Sequence, residues 1–110
     1  METIKNAIRN LGAGRCKKGY YFTYTAIELL LEDEMRFLNL SRDVYPEVAK
    51  RYQVKASCVE RNIRTMIEFC WYHGNREFFN DLAGYELDHR PTVGEFLDML
   101  YSYFFRSTRP

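Results

Sequence analysis

The stretch at residues 45–75, YPEVAKRYQVKASCVERNIRTMIEFCWYHGN, leaves the chain little choice of fold. Its apolar residues recur at helical spacing on both sides of a short break. Before the break, Val44, Val48, Ala49 and Tyr52 fall on one side of a helix expected at 43–52. Asp43 is placed to cap that helix, and Pro46 falls in its first turn, where a missing N–H costs nothing. The break is Gln53, Val54 and Lys55. After it, Val59, Ile63, Met66, Ile67 and Cys70 form one stripe at spacings of three and four, which predicts a second helix at 56–73. Gly74 and Asn75 supply a stop. Two helices joined by a turn of three to four residues make a helix-turn-helix, whose second helix can enter the major groove of DNA.

The second helix carries its polar residues away from the stripe: Ser57, Cys58, Glu60, Arg61, Arg64, Thr65 and Glu68. Arg61 and Arg64 are three apart, so they neighbour each other on the outer face. They stand in the first half of the helix, the part such folds press against base edges. Arginine can grip guanine O6 and N7 with two hydrogen bonds, and glutamate can accept one from cytosine N4. Ser57 and Glu60 also fit the capping-box pattern S-x-x-E, so a purely structural role stands open beside the DNA one. For the two arginines the plain alternative is a solvated surface.

Around this centre the chain reads as helix throughout. Ile4, Ala7, Ile8 and Leu11 predict a first helix at 3–11, stopped by Gly12. Gly12, Ala13 and Gly14 read as a loose connection. Arg15, Cys16, Lys17 and Lys18 form a small basic cluster, either a solvated loop or a contact to the DNA backbone. A second helix is expected at 19–33, with Tyr20, Thr23, Ile27, Leu30 and Leu31 inward. Its acidic end, Glu32, Asp33 and Glu34, opposes the helix dipole. Met35, Phe37 and Leu40 are expected to pack a connector. Past Asn75, a short helix at 76–83 ends at Gly84, and Thr92 with Glu95 predicts a capping box at the start of the last helix. Val93, Phe96, Leu97 and Leu100 suit its core face. Tyr101, Tyr103, Phe104 and Phe105 exceed what one face needs and are expected to be partly exposed, the mark of an interface. The fold class is therefore all-α: one domain at 1–110, six helices, with a scaffold helix at 43–52 and a recognition helix at 56–73.

Charge patterning agrees with a nucleic-acid partner better than net charge does. The net charge is only +1. Residues 42–64, however, hold six basic and three acidic side chains, while residues 65–110 hold four basic and seven acidic. Such polarity turns one face to phosphates and keeps the other away. No apolar run approaches the roughly 20 residues a membrane helix needs, and Lys5 and Arg9 interrupt any signal-peptide pattern. Three cysteines without metal-type spacing suggest free thiols in a reducing cytosol. His73 and His89 have no Cys or acid at ligand spacing, and His73 is placed to meet helix-end carbonyls. Gly12 and Gly14 follow no strand, so no phosphate loop is present. Cys58, on the outer face, is the one candidate reactive group. The expectation is therefore no enzyme, no cofactor, no metal and no small-molecule substrate.

The same residues carry a family resemblance. Tyr45-Pro46, Ala49-Lys50, Tyr52, Ala56-Ser57, Val59-Glu60-Arg61, Ile63-Arg64, Ile67-Glu68, Trp71 and Gly74-Asn75 resemble the helix-turn-helix of the C-terminal domain of stage 0 sporulation protein A. Lys18-Gly19-Tyr20 is similar to its upstream KGY, and Pro91-Thr92 with Glu95-Phe96 to its PTNSEF, so the likeness covers nearly the whole chain. It implies a bacterial, cytoplasmic regulator of transcription that binds double-stranded DNA at a TGTCGAA-like box, on the nucleoid when bound. Glu60, Arg61, Arg64, Cys58 and Thr65 would face bases. Ser57, Lys55, Lys50 and Arg51 would hold phosphates. Tyr101, Phe104 and Phe105 would join two domains on tandem boxes, as a homodimer or with a relative. Cys58 stands where the family has arginine, Thr65 where it has histidine, and Lys55 where it has a capping threonine. A second reading follows from those departures: a module that modulates a full-length relative by dimerisation and does not read DNA. No stretch alternates strand and helix as a receiver domain would. With Met1 at its start, the chain is expected to be a stand-alone effector whose control is not phosphorylation.

Overall fold

Helix stops set the layout. The computed structural model describes the backbone of residues 2–108 and the side chains of residues 4–105. It holds α1 (Glu2–Asn10), α2 (Lys17–Glu32), α3 (Leu40–Asp43), α4 (Tyr45–Tyr52), α5 (Ala56–His73), α6 (Arg76–Ala83) and α7 (Val93–Thr108). Two 3-10 segments, Ala13–Arg15 and Glu34–Asn39, join them, and no strand occurs among the described residues. None of the described helices is long and apolar enough to cross a membrane.

Gly12 ends α1 by taking φ 94, a conformation that suits glycine. The connection after it is tighter than expected. Ala13 is fully buried, and α2 begins at Lys17, two residues earlier than the sequence suggested. The acidic end of α2 is answered by Arg36, which donates to the Leu29 carbonyl at 2.9 Å and stands 3.6 Å from Glu32. Asp33 turns the chain by accepting from the Met35 N–H at 3.0 Å. Met35 does not pack the connector: it is 63% exposed, and Leu38 78%, while Phe37, edge-on to Tyr101, and Leu40 pack against the core as expected.

The seventh helix among the described residues is α3, in a stretch the sequence assigned to a connector up to Asp43. Asn39, not Asp43, does the capping here, accepting from the Arg42 N–H at 3.1 Å. Asp43 closes α3 and pairs with Arg42 at 3.0 Å, so it does not cap α4. The scaffold helix starts at Tyr45, with Pro46 in its first turn as expected. Tyr45 is buried with Val44, Val48 and Ala49. Tyr52 is half exposed, and its hydroxyl shares a 2.8 Å hydrogen bond with Thr25 of α2.

Helix α5 runs through the centre of the core. Val59, Ile63, Met66, Ile67, Cys70 and Trp71 are all buried. Burial holds the Cys70 thiol up to about 12, so it stays protonated and acts as a small apolar group. Gly19 explains how α2 lies so near. A Cβ there would stand 2.7 Å from Met66 Cβ and 2.9 Å from the Asn62 carbonyl oxygen. Gly19→Ala gains helix propensity of up to about 1 kcal/mol. Pushing two helices apart costs roughly 1–3 kcal/mol. A net fall of several degrees in Tm is expected by calorimetry; an unchanged or higher Tm would show that α2 does not seat against α5 this closely.

Asn75 opens α6 by accepting from the Phe78 N–H at 3.1 Å, and Gly84 closes it at φ 85. The capping box of α7 is present in both directions: Thr92 N–H to Glu95 Oε1 at 2.8 Å, and Glu95 N–H to Thr92 Oγ1 at 3.2 Å. The end of α7 is used internally more than expected. Phe104 is buried, Tyr103 packs edge-on to Phe78, and Tyr101 packs on Phe37 and Phe105 while donating to Glu34 at 3.3 Å. Glu34 and Phe37 of the Glu34–Asn39 segment both meet Tyr101 there.

Candidate nucleic-acid interface

The turn between α4 and α5 is built by one residue. Gln53 takes φ 57 and ψ 47, a left-handed conformation, and its N–H meets the end of α4 at the Lys50 carbonyl. The Val54 N–H then reaches the Ala49 carbonyl at 3.0 Å. Lys55 is extended at the N-cap of α5, and no side chain caps that helix. This corrects the expected capping box. With Lys55 at the cap, Ser57 is already the second helical residue and Glu60 lies beyond the first turn. The first N–H groups of an 18-residue helix are therefore left to solvent or an anion, beside the exposed Ser57 and Lys55.

The outer face of the first turns gathers most of the residues named from sequence. Arg61, Arg64, Thr65 and Ser57 are exposed; Glu60 and Cys58 are half-buried. Glu60 forms an ion pair with Arg64 one turn later, with the two side chains 34% and 50% exposed. Surface pairs of this kind contribute a few tenths of a kcal/mol, so Arg64 is oriented without being locked. Arg61 makes no ion pair or hydrogen bond among the described residues. It is a bare cation on the outermost line of the helix. Beneath Glu60 lies the buried Tyr45, whose phenol burial, with Glu60 alongside, pushes up to about 12. Ser41, Tyr45, Ala56, Ser57 and Glu60 line a small cleft of about 190 Å³ at the mouth of the turn.

Cys58 sits differently from its neighbours. Asn62 Nδ2 donates to the Cys58 carbonyl at 2.8 Å and to its sulfur at 3.2 Å, and the thiol packs against the core. The side chain is turned along the flank of α5 and presents little to a base edge. Asn62, one turn on, was not singled out from sequence, because a half-buried amide leaves no periodic signature. Lys50 is exposed on α4, but Arg51 is turned to α2, 4.0 Å from Glu28. Arg51 is thereby drawn away from the mouth of the turn.

The far end of α5 is closed by Arg76, not by His73. The Arg76 guanidinium lies 3.6 Å over the Trp71 ring and donates to the Trp71 carbonyl at 2.8 and 3.1 Å. His73 is exposed and packs on Phe69 instead. Glu68 is paired with Arg90 at 3.3 Å, which occupies the acidic side of the helix.

Residues 4–104 match the family model described as Sporulation initiation factor Spo0A C terminal. That family is a helical DNA-binding domain of a transcription factor, not a catalytic domain. The match spans the helix-turn-helix, the close approach at Gly19 and the capping box of α7. The chain belongs to the family of Spo0A C-terminal domains, the DNA-binding effectors of sporulation response regulators.

Proposed function

We propose that this domain binds double-stranded DNA sequence-specifically and regulates transcription, with α5 in the major groove. The observation that carries the reading is Arg61: exposed, unpaired among the described residues and central on the outer face of a recognition helix. Arg61 and Arg64 would read bases, with Glu60 holding Arg64 until a base or phosphate replaces it. Thr65 lies beside them as a smaller donor. Ser57, Lys55 and Lys50 would meet phosphates near the uncapped start of α5. Cys58 and Arg51 contribute less than the sequence suggested, since Asn62 and Glu28 hold them. In the cell such a protein would work on the nucleoid, in the cytoplasm.

The reading as a module that dimerises with a relative and leaves DNA alone draws less support. It rests on Cys58, Thr65, the low net charge and the aromatics at the end of α7, and of those aromatics Phe104 is buried while Tyr101 packs on Phe37. A homodimer or heterodimer seam through Tyr101 and Phe105 would have to use their half-exposed edges.

Anisotropy titrations against a duplex carrying the TGTCGAA-like box and a scrambled duplex test the proposal. The parent should prefer the box. Arg61→Ala should lose about 1–3 kcal/mol of that preference, roughly five- to 150-fold, while binding the scrambled duplex nearly as before. Full preference retained by Arg61→Ala would remove Arg61 from base reading.

A further inference from the structure

Between Glu2 and Glu28 the chain carries Lys5, Arg9, Arg15, Lys17 and Lys18 and no acidic residue. No other stretch of comparable length is so one-sided, including the helix-turn-helix itself. The fold brings the end of this stretch against the recognition helix. Gly19 touches α5 at Asn62 and Met66, so Lys17 and Lys18 open α2 directly on the flank of α5 that carries Cys58 and Asn62. Arg15 lies further along the same flank, in an open cleft of about 620 Å³ lined by Gly12, Gly14, Arg15, Phe69 and His73. Arg15, Lys17 and Lys18 are exposed, and none makes an ion pair among the described residues. Arg9 and Lys5 stand behind them, over the rings of Tyr20 and Tyr24. The first turn of α2 holds no acid that would offset this charge.

We infer that Arg15, Lys17 and Lys18 form a second phosphate-binding strip, which grips the DNA strand bordering the groove on the side of α5 away from the helix-turn-helix turn. The inference rests on the proposed seat of α5 in the major groove. The dimensions favour it. A helix with its side chains is about 10–12 Å across and the major groove about 12 Å wide, so the phosphates on either side of a seated helix lie just beyond its flanks. Long cationic side chains on an element packed directly against one flank reach that line of phosphates. The turn residues Lys55 and Ser57 would meet the opposite strand, and the recognition helix would be held from both sides. Such contacts add affinity without reading sequence.

The experiment is a salt titration of duplex binding with three proteins: the parent, the triple variant Arg15→Gln/Lys17→Gln/Lys18→Gln, and Arg61→Ala. The probes are the box and scrambled duplexes, and circular dichroism checks that each variant is folded. Each phosphate contact contributes about 0.9 to the slope of log K against log salt. The triple variant should lower that slope by roughly 2 to 3 on both duplexes and keep the parent's preference for the box. Arg61→Ala should do the reverse, lowering the preference with little change of slope. A triple variant with the parent's slope overturns the strip while leaving the reading of bases by α5 intact. A triple variant that loses preference for the box but keeps its slope also overturns it, since the cluster would then act on specificity. A parent that binds neither duplex overturns the strip together with the DNA-binding proposal.

Discussion

Gly74→Ala should unfold this domain in about 3 kcal/mol less denaturant free energy than the parent, with the urea midpoint shifted and its slope unchanged. The reason is a collision, not a conformational preference. Gly74 has φ −102, which any residue adopts. A Cβ there would lie 2.1 Å from the Leu11 carbonyl oxygen and 2.7 Å from that of Cys70. Both are backbone atoms, held in place by α1 and α5, and neither moves aside as a side chain would. The Leu11 carbonyl is also the acceptor for the Asn75 N–H at 3.2 Å, so the clash breaks the bond that ties the end of α5 to the end of α1. Gly12, at φ 94, sits against the same point, 3.2 Å from Gly74 Cα if a Cβ were added to it. A sequence reading makes Gly74 a left-handed stop, and the two accounts separate by experiment. Asparagine tolerates a left-handed position at little cost. Here Gly74→Asn should be at least as destabilising as Gly74→Ala. Near-parental stability of the asparagine variant would return Gly74 to the left-handed account.

Phe79→Ala should cost roughly 3–5 kcal/mol, a large share of the 5–15 kcal/mol typical of a domain. Phe79 is fully buried, with its ring 5.5 Å from that of Trp71 and 6.1 Å from that of Phe96. It therefore joins α5, α6 and α7 at one point. Its loss opens a cavity between three helices that are each pinned elsewhere, by the Asn75 cap, by Arg76 on Trp71 and by the Thr92–Glu95 box. Pinned ends limit collapse, which places the cost toward the upper part of that range. A thermal midpoint lowered by less than about 5 °C would mean the cavity refills. Phe78→Ala, at a half-buried ring against Tyr103, serves as the comparison and should cost clearly less.

Of the seven helices among the described residues, five were legible in the sequence to within two residues at either end. For α5 the stripe of Val59, Ile63, Met66, Ile67 and Cys70 was sufficient, because only a helix puts residues at those spacings on one side. Thr92 and Glu95 announced α7, because a capping box is a local bargain between neighbours in the chain. The polar outer face around Arg61 and Arg64 was legible for the same reason: it is what the stripe leaves over. The failures share a different cause. Asp43 and Ser57 look like caps, but Asn39 caps α3, which ends at Asp43, and α5 begins at Ala56, one residue ahead of Ser57.

What the sequence by itself determined is periodic and local: the all-helical fold, the helix-turn-helix, the buried stripe and the residues facing away from it. What only the tertiary structure decided is which neighbours those residues meet. It turned Arg51 to Glu28, drew Cys58 to Asn62, buried Phe104, made Gly19 and Gly74 points of close approach and set Lys17 and Lys18 beside the recognition helix. Helical spacing fixes the side of its own helix on which a residue stands. The partner on that side comes from elsewhere in the chain, and only packing brings it there.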